Sequence, residues 1–325
     1  MPEILSQPDA TPIPESLVRA LLPVAAPGIQ QRHVRVRFLD AHSNDVAEVS
    51  VPDGRVLMVK RGRYPWSAAR LRASRMAANL LRTVGVRVPQ PIDVPDGADL
   101  RPVEAYWRIE HPTLQERWPA LSAARRRQAL RSLGRLLRRV HAVPAGRHGP
   151  LGTDDGAGSL AAHLEADLGS RLLPAVQGVW PAAAPHLERL IGRARELEER
   201  LAGAPAVLLH GDVHLGNVLC DESDGTVRCV GLLDLEGAAG GPPESDLAIA
   251  QVHHGTLFTA PLPRGWFRTL MRGYRGEPDP FGLGYYRAVH LANMGFHSAL
   301  VGHGVHAADV AAALAREVET LDRPG

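Results

Sequence analysis

One short stretch of the sequence, between His210 and Asn217, is dense in residues that could do chemistry. It reads His-Gly-Asp-Val-His-Leu-Gly-Asn and sets a histidine, an aspartate and an asparagine in an H-x-D-x-x-x-x-N arrangement. A further aspartate, Asp234, follows 17 residues after Asn217. A carboxylate can accept a proton from a hydroxyl group, and carboxylate and amide oxygens are ligands that Mg²⁺ prefers. The pattern therefore indicates acid–base chemistry beside a metal ion.

The cation that would complete such a site is Lys60, the one lysine among 37 basic residues. An ammonium is a compact charge with three donors and a guanidinium is a planar fork, so a position that stays lysine in an arginine-rich chain is expected to need the ammonium. Phosphoryl transfer requires a proton acceptor, oxygen ligands for Mg²⁺ and a cation on the phosphates. Asp212, Asn217, Asp234 and Lys60 would supply all of them.

The hydrophobic pattern predicts the elements that must position these residues. Apolar and polar residues alternate over Arg32–Asp40, and β-rich runs at 45–51 and 55–60 are joined by the turn Pro52-Asp53-Gly54. This predicts three antiparallel strands, with Lys60 near the end of the third. Other predicted elements are helices over 15–22, 66–84, 122–141, 160–201 and 307–321, and strands over 104–110, 218–220 and 228–233.

The predicted fold class is α+β. A small β-rich N-terminal lobe, residues 1–110, is followed by a larger, mostly helical C-terminal lobe, residues 111–325, which carries the loop at His210–Asn217. The Arg-rich helix over 122–141 places its leucines on one side, so its arginines are interpreted as a solvated face. Because they are not interleaved with aromatic residues, no nucleic-acid partner is expected.

In this order and spacing, the segments resemble the aminoglycoside phosphotransferase-like family, which shares its fold with choline kinases and, more distantly, with protein kinases. The resemblance spans roughly Arg32 to Leu247. The matching segments are Ser43-Asn44-Asp45-Val46, Val59-Lys60, Val88 to Ile92, Val140-His141-Ala142-Val143-Pro144, His210 to Asn217, Asp234-Leu235-Glu236 and Glu244 to Ala248. It implies a bilobal, protein-kinase-like fold and a Mg²⁺-dependent O-phosphotransferase that uses ATP or GTP.

The resemblance also implies a role for each matching residue. Asp212 corresponds to the catalytic base or hydroxyl-orienting carboxylate, and Asn217 and Asp234 correspond to the Mg²⁺ ligands. His210 and Asp246 correspond to residues that support the loop.

Four residues are expected to bind the nucleotide. Lys60 corresponds to the residue that holds the α- and β-phosphates, and Ser43 and Asn44 lie in the loop between the first two strands. Glu110, at the end of the predicted strand 104–110, completes the group.

One departure from the kinase plan concerns the partner of Lys60. That plan pairs the lysine with a glutamate on the following helix, yet residues 61–92 contain seven arginines and no acidic residue. The family glutamate would fall near Ser74 or Arg75, and Glu48, one strand away, is the substitute that the sequence offers. A second departure is the loop 41–45, which has no G-x-G-x-x-G.

Composition bounds the partners and the compartment. Residues 1–150 contain 24 basic and 13 acidic residues and residues 151–325 contain 13 and 22, so the two parts carry net charges of +11 and −9. The negative part makes a cationic acceptor plausible. With two cysteines, Cys220 and Cys229, no signal peptide pattern and no run of 18 apolar residues, a cytoplasmic protein without a membrane span is expected.

Three functions are consistent with these residues. The first is phosphorylation of a hydroxyl group on a small molecule such as an antibiotic or another natural product. The second is phosphorylation of a peptide serine or threonine in natural-product biosynthesis, and the third is a nucleotide-binding scaffold without catalysis, suggested by the missing helix glutamate. The sequence does not indicate an oligomeric state.

Overall fold

The computed structural model describes residues 13–30, 33–39, 44–64, 66–94, 101–153, 158–201, 204–223, 225–256, 262–300 and 304–322. Ser43, one of the predicted nucleotide-binding residues, lies outside this part of the chain.

A five-stranded antiparallel sheet forms most of the first third of the chain. Its strands are β1 (Arg35–Leu39), β2 (Asn44–Ser50), β3 (Val56–Gly62), β4 (Pro91–Ile92) and β5 (Val103–Trp107). Their order across the sheet is β1-β2-β3-β5-β4. The three predicted antiparallel strands are confirmed, with Lys60 in β3. Strand β5 ends at Trp107, three residues earlier than predicted.

The two faces of this sheet have different surroundings, because neighbouring residues of a strand point to opposite sides. Val46, Lys60 and Glu104 are aligned across β2, β3 and β5 and share one face. The other face packs against helix α1 (Glu15–Ala25), and its core residues are Leu17, Val18, Leu21, Leu22, Ala47, Val49, Leu57, Val59 and Ala105. Helix α1 therefore covers the back of the sheet and leaves the Lys60 face turned to the helical part of the chain.

Helix α2 (Ser67–Thr83) follows the sheet strand that carries Lys60. Its buried side includes Leu71, Ala77 and Leu81, at the spacing that a helix requires, and Gly85 follows it with φ +68°. The helix packs on the short 3₁₀ turn Leu235–Gly237 as well as on β3 and β5. Helix α2 thus links the sheet to the turn after Asp234.

The remaining elements are mostly helical. The helices are α3 (Leu114–Arg117), α4 (Ala123–Val140), α5 (Leu160–Leu164), a π-helical segment (Glu165–Leu172), α6 (Leu173–Val179), α7 (Ala184–Gly192), α8 (Ala194–Arg200), α9 (Glu244–Thr256), α10 (Trp266–Tyr274), α11 (Pro280–Leu300) and α12 (Gly304–Leu321). The short strands are β6 (Gly149–Pro150), β7 (Val207–Leu209), β8 (Val218–Asp221), β9 (Arg228–Leu232) and β10 (Ala239–Gly241). The helical pattern predicted over 160–201, which is interrupted by Pro174, Pro181 and Pro185, corresponds to four α-helices, the π-helical segment and a 3₁₀ turn at Pro181–Ala183.

Helix α4 is the centre of the helical part. Leu130, Leu133, Leu137 and Val140 are fully buried, as their spacing predicted. On its partner α10, a Cβ on Gly273 would lie 1.9 Å from a backbone oxygen of α4, so this glycine allows the two helices to touch. The architecture is α+β, a small antiparallel sheet joined to a helical remainder, as predicted. No helix in the described ranges is long and apolar enough to span a membrane.

Candidate active site

The loop His210–Asn217 runs from the end of β7 to the start of β8, under the Lys60 face of the sheet. Gly211 has φ +80°, and a Cβ there would lie 2.0 Å from the backbone oxygen of Gly237. Only glycine combines this backbone angle with so close an approach. The two glycines therefore bring the loop into backbone contact with the turn that follows Asp234.

A buried network, which we call the loop brace, holds the first residues of this loop. It consists of Asp246, His141, His210, Gly211 and Tyr274. The carboxylate of Asp246, 0 % exposed, accepts hydrogen bonds from the backbone N–H groups of His210 at 2.7 Å and Gly211 at 2.8 Å. Nε2 of His141 lies 3.1 Å from the same carboxylate, and its Nδ1 lies 2.9 Å from the Tyr274 hydroxyl.

His210 connects the loop to the neighbouring segment. Its Nε2 lies 2.8 Å from the carbonyl oxygen of Leu233, and its Nδ1 accepts a hydrogen bond from the backbone N–H of Asp212 at 3.1 Å. The carboxylate of Asp246 and the ring of His210 thus hold the backbone at the start of the loop.

Asp212 is surrounded by three polar side chains. Nδ2 of Asn217 donates to its Oδ2 at 3.0 Å and also to its backbone oxygen at 3.0 Å. Nε2 of His253, on α9, lies 2.9 Å from Oδ1, and Nε2 of His214 lies 3.6 Å from Oδ2. Burial alone would raise the pKa of Asp212, but the neighbouring imidazoles of His214 and His253 outweigh it and hold the pKa well below its ordinary value. Asp212 is thus an ionised carboxylate at neutral pH.

Asp234 faces Lys60 across the gap between the sheet and the helical part. Nζ of Lys60 lies 2.9 Å from Oδ1 of Asp234 and 2.8 Å from Oε1 of Glu236, and Nδ2 of Asn44 donates to both oxygens of Glu236 at 2.9 Å. We call these four residues the lysine cluster. Asp234 has φ +56°, an uncommon angle for a residue other than glycine, which is typical of sites where function fixes the backbone.

The lysine cluster shows which carboxylates contact Lys60 in this structure. Lys60 has two carboxylate partners, both from the turn Asp234-Leu235-Glu236. Glu48 is not one of them, because its carboxylate binds the guanidinium groups of Arg37 and Arg108 instead. The sequence analysis names Glu236 only as part of the matching segment Asp234-Leu235-Glu236 and does not predict its contact with Lys60.

The remaining predicted nucleotide-binding residues lie at two places. Asn44 opens β2 and is buried within the lysine cluster. Glu110 is exposed in the segment after β5 and lines a cavity of about 600 Å³ between residues 54–56 and 107–112. Asp45, next to Asn44, is buried and holds Arg61 at 3.1 Å and Arg63 at 2.7 Å.

His253 is a further functional candidate that the sequence did not single out for Asp212. His253 and His254 are adjacent residues of α9. In the described residues, no group of three or more His, Cys, Asp or Glu side chains could hold a metal ion. Cys220 and Cys229 are buried free thiols directly opposite each other on β8 and β9.

Asn217 and Asp234 nevertheless have the chemistry that Mg²⁺ requires. The contacts of Asn217 with Asp212 use its amide nitrogen, so they do not occupy its amide oxygen. The side chain of Asp234 is 45 % exposed and supplies a carboxylate. Mg²⁺ usually takes only one or two carboxylates from the protein and completes its shell with phosphates and water, so this small set of donors fits.

Solved structures of low sequence identity share this fold. A thermostable mutant of the aminoglycoside phosphotransferase APH(4)-Ia is 17 % identical, with a TM-score of 0.67, and the match covers 90 % of this chain and 96 % of that one. The macrolide 2'-phosphotransferase MphH from Brachybacterium faecium is 21 % identical, with a TM-score of 0.56 and coverage of 96 % and 99 %. A mutant of the aminoglycoside 2'-phosphotransferase-IIIa is 15 % identical, with a TM-score of 0.64 and coverage of 93 % and 97 %.

No curated protein matches the sequence. The sequence profile of the phosphotransferase enzyme family, in contrast, matches residues 35–288, which include the whole sheet, the loop His210–Asn217 and the lysine cluster. The chain therefore belongs to the phosphotransferase enzyme family.

Proposed function

We propose that the enzyme transfers the γ-phosphoryl group of ATP or GTP, with Mg²⁺, to a hydroxyl group of a natural product such as an antibiotic. The observation that carries the proposal is the meeting of Asp212, Asn217 and the Lys60–Asp234 pair in one cleft between the sheet and the helical part. These residues come from positions up to 174 apart in the sequence. Phosphoryl transfer depends chiefly on positioning and on charge, and this set supplies both.

The proposed nucleotide site lies on the Lys60 face of the sheet. Lys60 would bind the α- and β-phosphates, Asn44 and Ser43 would lie near the phosphates, and Glu110 would border the base at the cavity after β5. Similar structures support nucleotide binding, since they are complexes with ADP, AMP-PNP or GDP. We propose that the two lobes divide at this segment, after residue 110.

Asn217 and Asp234 would hold the Mg²⁺ ion. When bound, the ion would neutralise charge on the phosphate oxygens. Lys60 would then exchange part of its contact with Asp234 for the phosphates, which are also anions. The lysine cluster would open in this exchange, because its members are the groups that bind the nucleotide.

Asp212 would orient the acceptor hydroxyl and accept its proton. Its low pKa makes it a weak base, so it is suited to hold the hydroxyl in line with the phosphate and to take the proton late in the transfer. This order fits a loose transition state, in which the attacking oxygen forms little bond before the phosphoryl group leaves. Asn217 and His253 would fix the carboxylate for this role.

The acceptor hydroxyl must approach Asp212 beside His214 and His253. Next to them, His254 contacts Trp266 with ring centroids 5.2 Å apart, and burial lowers the pKa of His254 to about 4. A cationic acceptor is the first class to test, because residues 151–325 carry a net charge of −9 and similar structures contain hygromycin B or kanamycin. The macrolide class is the second to test, because a macrolide 2'-phosphotransferase has a similar structure.

The cytoplasm is the proposed compartment, because both described cysteines are free thiols.

The test is a nucleotide-consumption screen with Mg²⁺ and either ATP or GTP. The acceptors are aminoglycosides, macrolides, peptide antibiotics, nucleosides, amino sugars and serine-containing peptides, each compared with an Asp212→Asn variant. We expect one small-molecule class to be phosphorylated by the wild type, and about a thousandfold lower turnover in Asp212→Asn with nucleotide binding retained. Phosphorylation of the peptides alone would reject the small-molecule acceptor, and equal turnover in the variant would reject the role of Asp212.

A further inference from the structure

Lys60 is a largely buried ammonium whose two visible partners both belong to the nucleotide site. Its side chain is 12 % exposed, so it needs an anion close by. Asp234, however, is a proposed Mg²⁺ ligand, and Glu236 is on the same turn. When the nucleotide and Mg²⁺ bind, these carboxylates lie beside a second cation, the metal ion, and interact with it as well as with Lys60. A lysine placed correctly throughout the reaction requires an anion that does not take part in that exchange.

Glu104 of β5 is placed to be that anion. It lies directly opposite Lys60 in the β3–β5 register, on the same face of the sheet, and it is 3 % exposed. The charge of Lys60 acts on this carboxyl: burial raises the pKa of Glu104 to about 7, and the attraction of Lys60 opposes that rise. A carboxyl group is rarely so deeply buried without a cation beside it.

Ser74 shows how the site differs from the kinase plan. It lies on the buried side of α2, 7 % exposed, at the point where the family glutamate was expected. That position carries a hydroxyl group, which lowers the pKa of the nearby Glu104 carboxyl. The buried carboxyl group thus belongs to the neighbouring strand and not to the helix.

We propose that Glu104 is the positioning residue for Lys60, in place of the missing helix glutamate. The proposal rests on the proposed function, since it assigns Lys60 to the phosphates. It has one consequence for the working of the enzyme. Because Lys60 and Glu104 lie opposite each other on adjacent strands of one sheet, their proximity does not depend on where helix α2 sits, and a displacement of α2 would not separate them.

The experiment moves the negative charge of Glu104 from the strand to the helix. Glu104→Gln removes the charge and keeps the size of the side chain. Ser74→Glu in the same chain then supplies a carboxylate from helix α2. We expect Glu104→Gln to raise the KM for the nucleotide and lower kcat, with kcat/KM at least fivefold lower. The double variant Glu104→Gln/Ser74→Glu should recover at least half of that loss on a logarithmic scale. Glu48→Gln is the matched control, because Glu48 is on the same face and binds arginines; its kcat/KM should stay within twofold of the wild type.

Nucleotide affinity provides the second measurement and does not need the acceptor. We expect Glu104→Gln to weaken Mg²⁺–ATP binding by calorimetry in the wild-type background and to change it by less than twofold in a Lys60→Met background. Equal weakening in both backgrounds, or a double variant with Ser74→Glu that recovers nothing, would show a merely structural role and overturn the proposal. So would unchanged kinetics in Glu104→Gln.

Two further outcomes can be separated from these. If Glu104→Gln does not fold, Glu104→Asp is the second variant, because it keeps the charge on a side chain one methylene shorter. An affinity for Mg²⁺–ATP equal to that of the wild type would then overturn the positioning role of Glu104. If the wild type neither binds nor consumes any nucleotide, the proposed function fails. If the wild type does both and Glu104→Gln matches it, the inference about Glu104 alone fails.

Discussion

The loop brace lies beneath one side of the cleft and the lysine cluster spans it, and the two networks are built differently. In the brace, a fully buried carboxylate binds backbone N–H groups of the loop it supports. In the lysine cluster, side chains bind side chains across the gap between the sheet and the helical part, and Asp234 is 45 % exposed. The comparison indicates that the loop carrying Asp212 is fixed before a ligand arrives, while the lysine cluster can exchange partners.

Asp246→Ala should give the largest change in stability. The substitution leaves two buried N–H groups and His141 without their acceptor, and removing one partner from such a buried network destabilises by about 3–5 kcal/mol. We expect a large drop in the melting temperature, and Asp234→Ala is the control from the lysine cluster, with a far smaller drop. Equal drops would contradict the distinction between the two networks.

The acid stability of the protein tests the same carboxylate. Burial would raise the pKa of Asp246, but the hydrogen bond and charge of His141, with His210, lower it below its ordinary value of 3.8. A lowered folded-state pKa contributes stability above the unfolded value, and the contribution is lost as the pH falls through the folded-state pKa. Denaturant melts below about pH 4 should therefore show a shallower loss of stability in Asp246→Asn than in the wild type.

Lys60→Arg should affect the lysine cluster without unfolding the protein. A guanidinium keeps the charge but has a different shape and donor geometry, so it cannot reproduce contacts with Asp234, Glu236 and the phosphates. We expect turnover at least tenfold lower with a melting temperature close to that of the wild type. The control is Arg125→Lys, an exchange of the same two cations at a half-exposed pair with Glu222. Unchanged kinetics in Lys60→Arg would count against its assignment to the phosphates.

His253→Gln should have the smallest effect. The amide of glutamine can still donate a hydrogen bond to Asp212, and we expect turnover within about threefold of the wild type. His253→Phe removes the donor at similar size, and kcat should fall about tenfold while the KM for the nucleotide stays unchanged. A loss confined to the nucleotide KM would place His253 outside the catalytic step.

The sequence predicted those parts of the fold that local pattern determines. The alternation in β1 to β3, the leucine spacing of α4 and the motif from His210 to Asn217 depend on residues near one another in the chain. The pairing of Lys60 was not predictable in the same way, because its partners lie 174 and 176 residues away. The same is true of His253, which reaches Asp212 through the packing of α9, and of the end of β5, where pairing with β3 stops before Glu110.

The contact between Gly211 and Gly237 determines which distances in the site can change. Because the loop of Asp212 and the turn of Asp234 touch through their backbones, they form one solid block together with Asn217. Lys60 and Glu104 belong to the other block, the sheet. If the cleft widens to admit a nucleotide, Asp212, Asn217 and Asp234 keep their mutual geometry. The distances that change are those between these residues and Lys60. The loop and the turn would thus form a rigid unit that holds the reacting groups, and the sheet would move with the lysine that binds the phosphates.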